Sequence, residues 1–222
     1  MPLRKTGALA VIIALALAGH ANSAFVRVGR IVVRADGGFT PQKLPRHSYA
    51  PISFKGHIDI HSTDSGPIPP LEEVRLDFDK DGRLSTKGLP VCPPARIEGT
   101  TPKQARKLCG GALVGTGHAE AAVPVEGGAA VVITSPLSLF NGPRLNGRPT
   151  VVGHARTNFP TPKTYVLQVP IEKEHGPFSY RVTIHVPDIA EGLASVTHAD
   201  GIVGRRYKAG GTKRSYTSAR CS

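Results

Sequence analysis

The sequence predicts an all-β domain, a mainly antiparallel β-sandwich or irregular barrel, with one short helix near 102–109. Three observations predict it. Apolar residues recur with period two along most of the chain, the spacing that puts them on one face of a strand. The runs are short and are bounded by turn formers, with 25 Gly and 20 Pro among 222 residues. Only one stretch carries both a helix start and a helix stop.

Taken in order, Arg4 and Lys5 precede the apolar run Ala8 to Ala18, and the small-residue segment Gly19-His20-Ala21-Asn22-Ser23-Ala24 follows. This pattern predicts a signal helix over residues 1–21, cleaved between 21 and 24. The run is too short for a membrane span, which needs roughly 20 residues. Leu17-Ala18-Gly19 is followed by His20 rather than cysteine, so no thiol is available for a lipid anchor and release is expected. Residues 22–48 read as an N-terminal strand, Phe25 to Val33, and a linker, Gly37 to Ser48; residues 49–222 read as a single β-rich domain.

Within that domain, alternation predicts strands at Ile52 to Ile60, Val74 to Phe78, Ala112 to Val125, Ala129 to Phe140 and Thr150 to Thr157, and later at Ala194 to His198, Ile202 to Lys208 and Thr212 to Ala219. The clearest hairpin runs from Pro162 to Asp188: Tyr165, Leu167, Val169 and Ile171 share one face, and Phe178, Tyr180, Val182, Ile184 and Val186 share another. For the helix, Thr101-Pro102-Lys103-Gln104 supplies an N-cap, a first-turn proline and a capping-box glutamine, and Gly110-Gly111 supplies the stop. Ala105, Leu108 and Cys109 then fall on one face. No internal repeat is recognised.

An exported chain favours disulfides. Cys92 and Cys109, 17 residues apart, are the natural pair. Cys221 is left over one residue from the end, which suggests a chain that stops early or a bond to another chain. The 28 Lys and Arg against 16 Asp and Glu give +12, or about +10 once Arg4 and Lys5 are removed with the signal. Such a surface favours an anionic cell-envelope polymer or a lipid surface over nucleic acid, which an exported protein does not meet; a plain solubility charge is the alternative.

Three constellations invite a site. Asp77-x-Asp79-x-Asp81-Gly82 matches the first half of a calcium loop, which makes these aspartates candidate metal ligands. Position 12 is Gly88 instead of glutamate, and Pro90, Pro93 and Pro94 forbid an exit helix, so a hairpin with a solvent-facing polar side is preferred. His57-Ile58-Asp59-Ile60-His61 places three metal-type donors on one strand face. The outer two lie about 13 Å apart on a straight strand, too far to share an ion. The tail from Gly201 to Ser222 holds six basic residues and no acid; Arg205, Arg206, Lys208, Lys213 and Arg214 form a candidate anion-binding surface folded at Gly210-Gly211, or else a charged sheet edge that resists strand addition. No catalytic residue and no cofactor is implied, since there is no Gly-x-Ser-x-Gly elbow and the cysteines look structural or terminal.

The phrases "SFKGHIDIHSTDSG", "LDFDKDGRLSTKGLPVCPPARIEGTTPKQARKLCGGALVGTGHAEA", "PLSLFNGP" and "KRSYTSARC" resemble a group of uncharacterised secreted proteins of high-GC soil bacteria, over about Tyr49 to Cys221. No activity comes with the resemblance. It implies that similar proteins continue past the last cysteine into a further hairpin holding a fourth one, the partner that Cys221 would then lack. The function class expected is an exported, non-enzymatic β-domain with a binding or structural role at or outside the cell surface; the alternative is an extracellular hydrolase acting on an envelope polymer.

Overall fold

Period-two alternation becomes strand almost everywhere it was expected: 58% of the residues are extended and 7% helical. A computed structural model describes residues 9–15, 22–64, 66–126 and 128–221. The first strands are β1 (Leu9–Leu15), β2 (Asn22–Val28), β3 (Ile31–Thr40), β4 (Ala50–Pro51), β5 (Ser53–Ser62), β6 (Leu71–Asp79) and β7 (Gly82–Leu84). After the helix α1 (Pro102–Cys109) come β8 (Leu113–Val123), β9 (Val131–Leu145), β10 (Arg148–Thr157), β11 (Lys163–Lys173) and β12 (Phe178–His185). The last are β13 (Ser195–Val203), β14 (Arg206–Ala209), β15 (Thr212–Ser215) and β16 (Thr217–Ala219).

One eleven-stranded sheet, in the order β1-β6-β12-β11-β10-β9-β8-β13-β5-β3-β2, curls into a half-barrel. Its neighbours pair antiparallel except β1 with β6, which are parallel. The alternative of two stacked sheets is thereby replaced by one curved sheet with two small satellites, β14-β15 and β4-β16-β7. Leu9–Leu15 is extended along β6; the rest of the expected signal segment, residues 1–8 and 16–21, lies outside the described residues.

The curl has a hydrophobic cause. β6 follows β5 in sequence yet lies far from it in the strand order. Burying one apolar face of each brings Leu71, Val74 and Leu76 of β6 against Ile58 and Ile60 of β5 and Ile31, Val33 and Ala35 of β3. The Phe54 and Phe78 rings meet edge to face at 6.1 Å across the same gap. The linker expected from Gly37 therefore starts later: Gly37 and Gly38 belong to β3 and pair with Gly56 and Lys55.

A second core forms where α1 covers β9 and β10, around the Cys92–Cys109 disulfide, Ile97, Ala105, Phe140 and Val152. The capping box is formed as expected: the Thr101 hydroxyl accepts from the Gln104 amide N–H, and the Gln104 side chain accepts from the Thr101 N–H at 2.8 Å. Leu108, expected on the inner face, is 42% exposed, and Ala105 and Cys109 alone are buried. The run expected over Ile202 to Lys208 breaks at Gly204, where a Cβ would stand 2.7 Å from the Ser53 backbone. Likewise Thr212 to Ala219 breaks at Tyr216, whose ring turns into a core with Leu89 and Val114.

Candidate binding surface

The aspartates of the calcium-like loop are brought near one another along the chain but are spent separately. Asp77, expected to face solvent, is 3% exposed. Its carboxylate accepts from Arg181 Nε at 2.6 Å and Nη2 at 3.3 Å, with Arg75 Nε 3.6 Å away. The Asp77 and Arg181 backbones are register partners on β6 and β12, so the pair is a cross-strand clamp. Asp79 accepts from the Asp81 N–H at 2.8 Å, an Asx turn, and Asp81 accepts from Arg220 Nε at 3.0 Å. Among the described residues no group of three His, Cys, Asp or Glu side chains is placed to hold a metal ion.

The His57-Ile58-Asp59 segment of β5 has a different outcome. Ile58 is buried, so His57 and Asp59 stand on the face turned away from the core. Three neighbouring strands carry the same arrangement: Arg34-Ala35-Asp36 on β3, His198-Ala199-Asp200 on β13 and His118-Ala119-Glu120 on β8. Adjacent strands run antiparallel, so the cation of one dyad faces the acid of the next. Asp36, His57, Asp200 and His118 make one row across the four strands; Arg34, Asp59, His198 and Glu120 make the other. Eight side chains thus form a two-by-four checkerboard of alternating sign. His61 continues the face beyond Asp59 but stands opposite Val32.

Three of the six cross-strand pairs are in contact. His198 Nδ1 lies 2.7 Å from Asp59 Oδ1, and His57 Nε2 lies 3.2 Å from Asp36 and 3.6 Å from Asp59. His118 Nδ1 is 3.5 Å from Asp200, and the His57 and His198 rings stack at 6.4 Å. The hydrogen bond with Asp59 raises the His198 pKa above the ordinary imidazole value; burial opposes it, and the Asp59 charge adds a lesser upward push. Five of the eight, Asp36, His57, Asp59, His198 and Asp200, line an open depression of about 590 Å³ together with Gly38, Lys55 and Ile202. At its floor Gly37, Gly56 and Gly201 pair in one unbroken ladder that continues to Gly117. A Cβ on Gly117 would sit 2.0 Å from the Asp200 carbonyl oxygen, so strands β8 and β13 approach there more closely than a side chain permits.

The basic hairpin forms at Gly210-Gly211, both at positive φ. Arg206 and Lys208 are exposed on one face of β14, and Lys213, exposed on β15, stands directly opposite Lys208. Arg205 is not part of this face: it donates to the Gly110 and Leu113 carbonyls at 2.8 and 2.7 Å and anchors the hairpin. Arg214 lies on the inner side, its Nε buried, opposite Tyr207, whose hydroxyl donates to the Ser85 and Lys87 carbonyls.

A buried polar knot lies under α1 and the loop before it. His154 on β10 is 1% exposed, its Nε2 3.1 Å from the Thr100 carbonyl and 3.2 Å from the Thr100 hydroxyl. Burial first, then the charges of Arg156 and Arg106, depresses its pKa. Cys221 is exposed, and its backbone N–H donates to Pro45 at 3.0 Å.

Sequence reasoning found His57 and Asp59 but missed Arg34, Asp36, His118, Glu120, His198 and Asp200. The signal was present as the recurring cation-x-acid dyad with a small or apolar middle residue. Compared with known proteins, the chain matches no family model, no curated protein and no solved structure. No helix among the described residues is long and apolar enough to cross a membrane.

Proposed function

We propose that this protein is an exported, non-enzymatic β-domain that acts at or outside the cell surface by binding an anionic envelope polymer through β14–β15. The observation that carries this reading is the exposed trio Arg206, Lys208 and Lys213. Like charges directly opposite on a hairpin destabilise it, and Lys208 faces Lys213 with no acid between them. Arginine ion pairs among the described residues are made elsewhere, by Arg30, Arg75, Arg148, Arg181 and Arg220. A face of uncompensated cations on an anchored hairpin is suited to a partner that supplies the anions. The Cys92–Cys109 disulfide fits an oxidising compartment.

The hydrolase reading draws on the Asp59–His198 pair, a carboxylate-oriented imidazole. Its depression is open, and His198 Nε2 is itself 3.9 Å from Asp200, so the pair has neither an enclosed cleft nor a nucleophile at hand.

The test is co-sedimentation of the purified protein with cell-wall fractions and with anionic vesicles, at low and high salt. Replacing Arg206, Lys208 and Lys213 by glutamine should weaken low-salt binding about 100-fold, at about 1 kcal/mol per basic residue near an anionic surface. Absence of binding at every salt concentration sinks the proposal, and release of soluble fragments from the wall fraction would favour the hydrolase.

A further inference from the structure

The checkerboard is independent of the basic hairpin, and its composition gives it a property of its own. Its acids are Asp36, Asp59, Asp200 and Glu120, and its permanent cations are Arg34 and, at the rim of the depression, Lys55. The other three cationic positions are His57, His118 and His198. Histidine alone among these side chains changes charge near neutrality. Of the three, His198 is held closest to a carboxylate, 2.7 Å from Asp59, with Asp200 at 3.9 Å on its other ring nitrogen. No charged residue faces the checkerboard from β9, which puts Pro136 opposite His118 and Thr134 opposite Glu120.

We propose that the Asp59–His198 contact is a proton-operated latch between β5 and β13, tight when the imidazole is charged and loosened when it is neutral. The site is built for this at the level of the backbone. β13 is held between β5 and β8 through residues 198–203, and the ladder along that stretch includes Gly56, Gly201 and Gly117. Those glycines contribute no side-chain packing, so the outer rows carry a larger share of the grip between the strands. Because the folded state favours the charged form of His198, its contribution is complete below the unfolded value of about 6.5 and is lost as pH rises through the folded value.

The experiment uses the intact chain. Amide hydrogen exchange, corrected for the intrinsic pH dependence of exchange, should show about tenfold lower protection at pH 8 than at pH 5.5 for β5 and β13, with β10 and β11 unchanged. Thermal melts from pH 6.5 to 8 should show a fall in Tm toward alkaline pH, and His198→Asn should abolish most of that fall. Equal protection of β5 and β13 at the two pH values overturns the latch. So do melting profiles of the native protein and of His198→Asn that run parallel. If His198→Asn does not fold, exchange on the native protein decides alone.

Discussion

At the scale of single residues, the two histidines with shifted titration act in opposite directions, and their pH windows meet near 6.5. His198 favours the fold in acid. His154 is the reverse case: its folded value is depressed, so the unfolded chain takes up the proton first, and stability is lost as pH falls below the ordinary imidazole value. Replacing His154 by glutamine should flatten the melting profile between pH 6.5 and 5, where most carboxylates remain ionised; an unchanged slope would show that the imidazole is not the responsible group. Gly117 makes a different demand. Its backbone approach to Asp200 leaves no space for a methyl group, and the obstruction is backbone rather than a movable side chain. Gly117→Ala is expected to lower Tm by more than about 5 °C, whereas Gly147→Ala, in open space, should suffer only the strain of its positive φ.

These residues also show where sequence reading stops. Asp77 looked solvent-facing because its neighbours Val74, Leu76 and Phe78 alternate as core residues. Its partner Arg181 lies 104 positions away. Nothing local announces that pairing. The checkerboard was half legible: each dyad is a three-residue pattern, but their adjacency depends on a strand order that places Asp59 beside His198 across 139 residues.

At the scale of elements, local chemistry was read with more success. The capping box, the disulfide and the turn at Gly210-Gly211 are specified by residues within a few positions of one another or by a short loop, so their outcome depends little on the rest of the chain. Thr101→Ala removes the cap and should cost about 1 kcal/mol, measured by denaturant unfolding. Replacing Cys92 and Cys109 by alanine opens a loop of 17 residues and should cost about 3 kcal/mol in the chain-entropy model. The loss should exceed that of Thr101→Ala, and exchange should locate it around α1 and the adjacent part of β9. The long runs at the carboxy end were misjudged for the opposite reason. Gly204 and Tyr216 end strands because of Ser53 and of the core around Leu89 and Val114, partners that alternation does not encode.

At the scale of the whole molecule, one sheet rather than two accounts for both the core and the exposed polar face. A curled sheet buries one side against itself, and the same alternation leaves the other side for charge. The order β8 to β12 is a plain meander, whereas β6 and β13 flank it from distant parts of the chain. That arrangement sets a timetable. β13, formed by Ser195–Val203, is the last strand of the wide sheet to be synthesised, and it alone joins the early strands β2, β3 and β5 to β8. Until it arrives, β5 and β8 each present an unpaired edge, and the contacts that would close the sheet span most of the chain, the kind that form slowly. The wide sheet therefore closes only once Ser195–Val203 has been made, and its two halves wait on a strand close to the carboxy end.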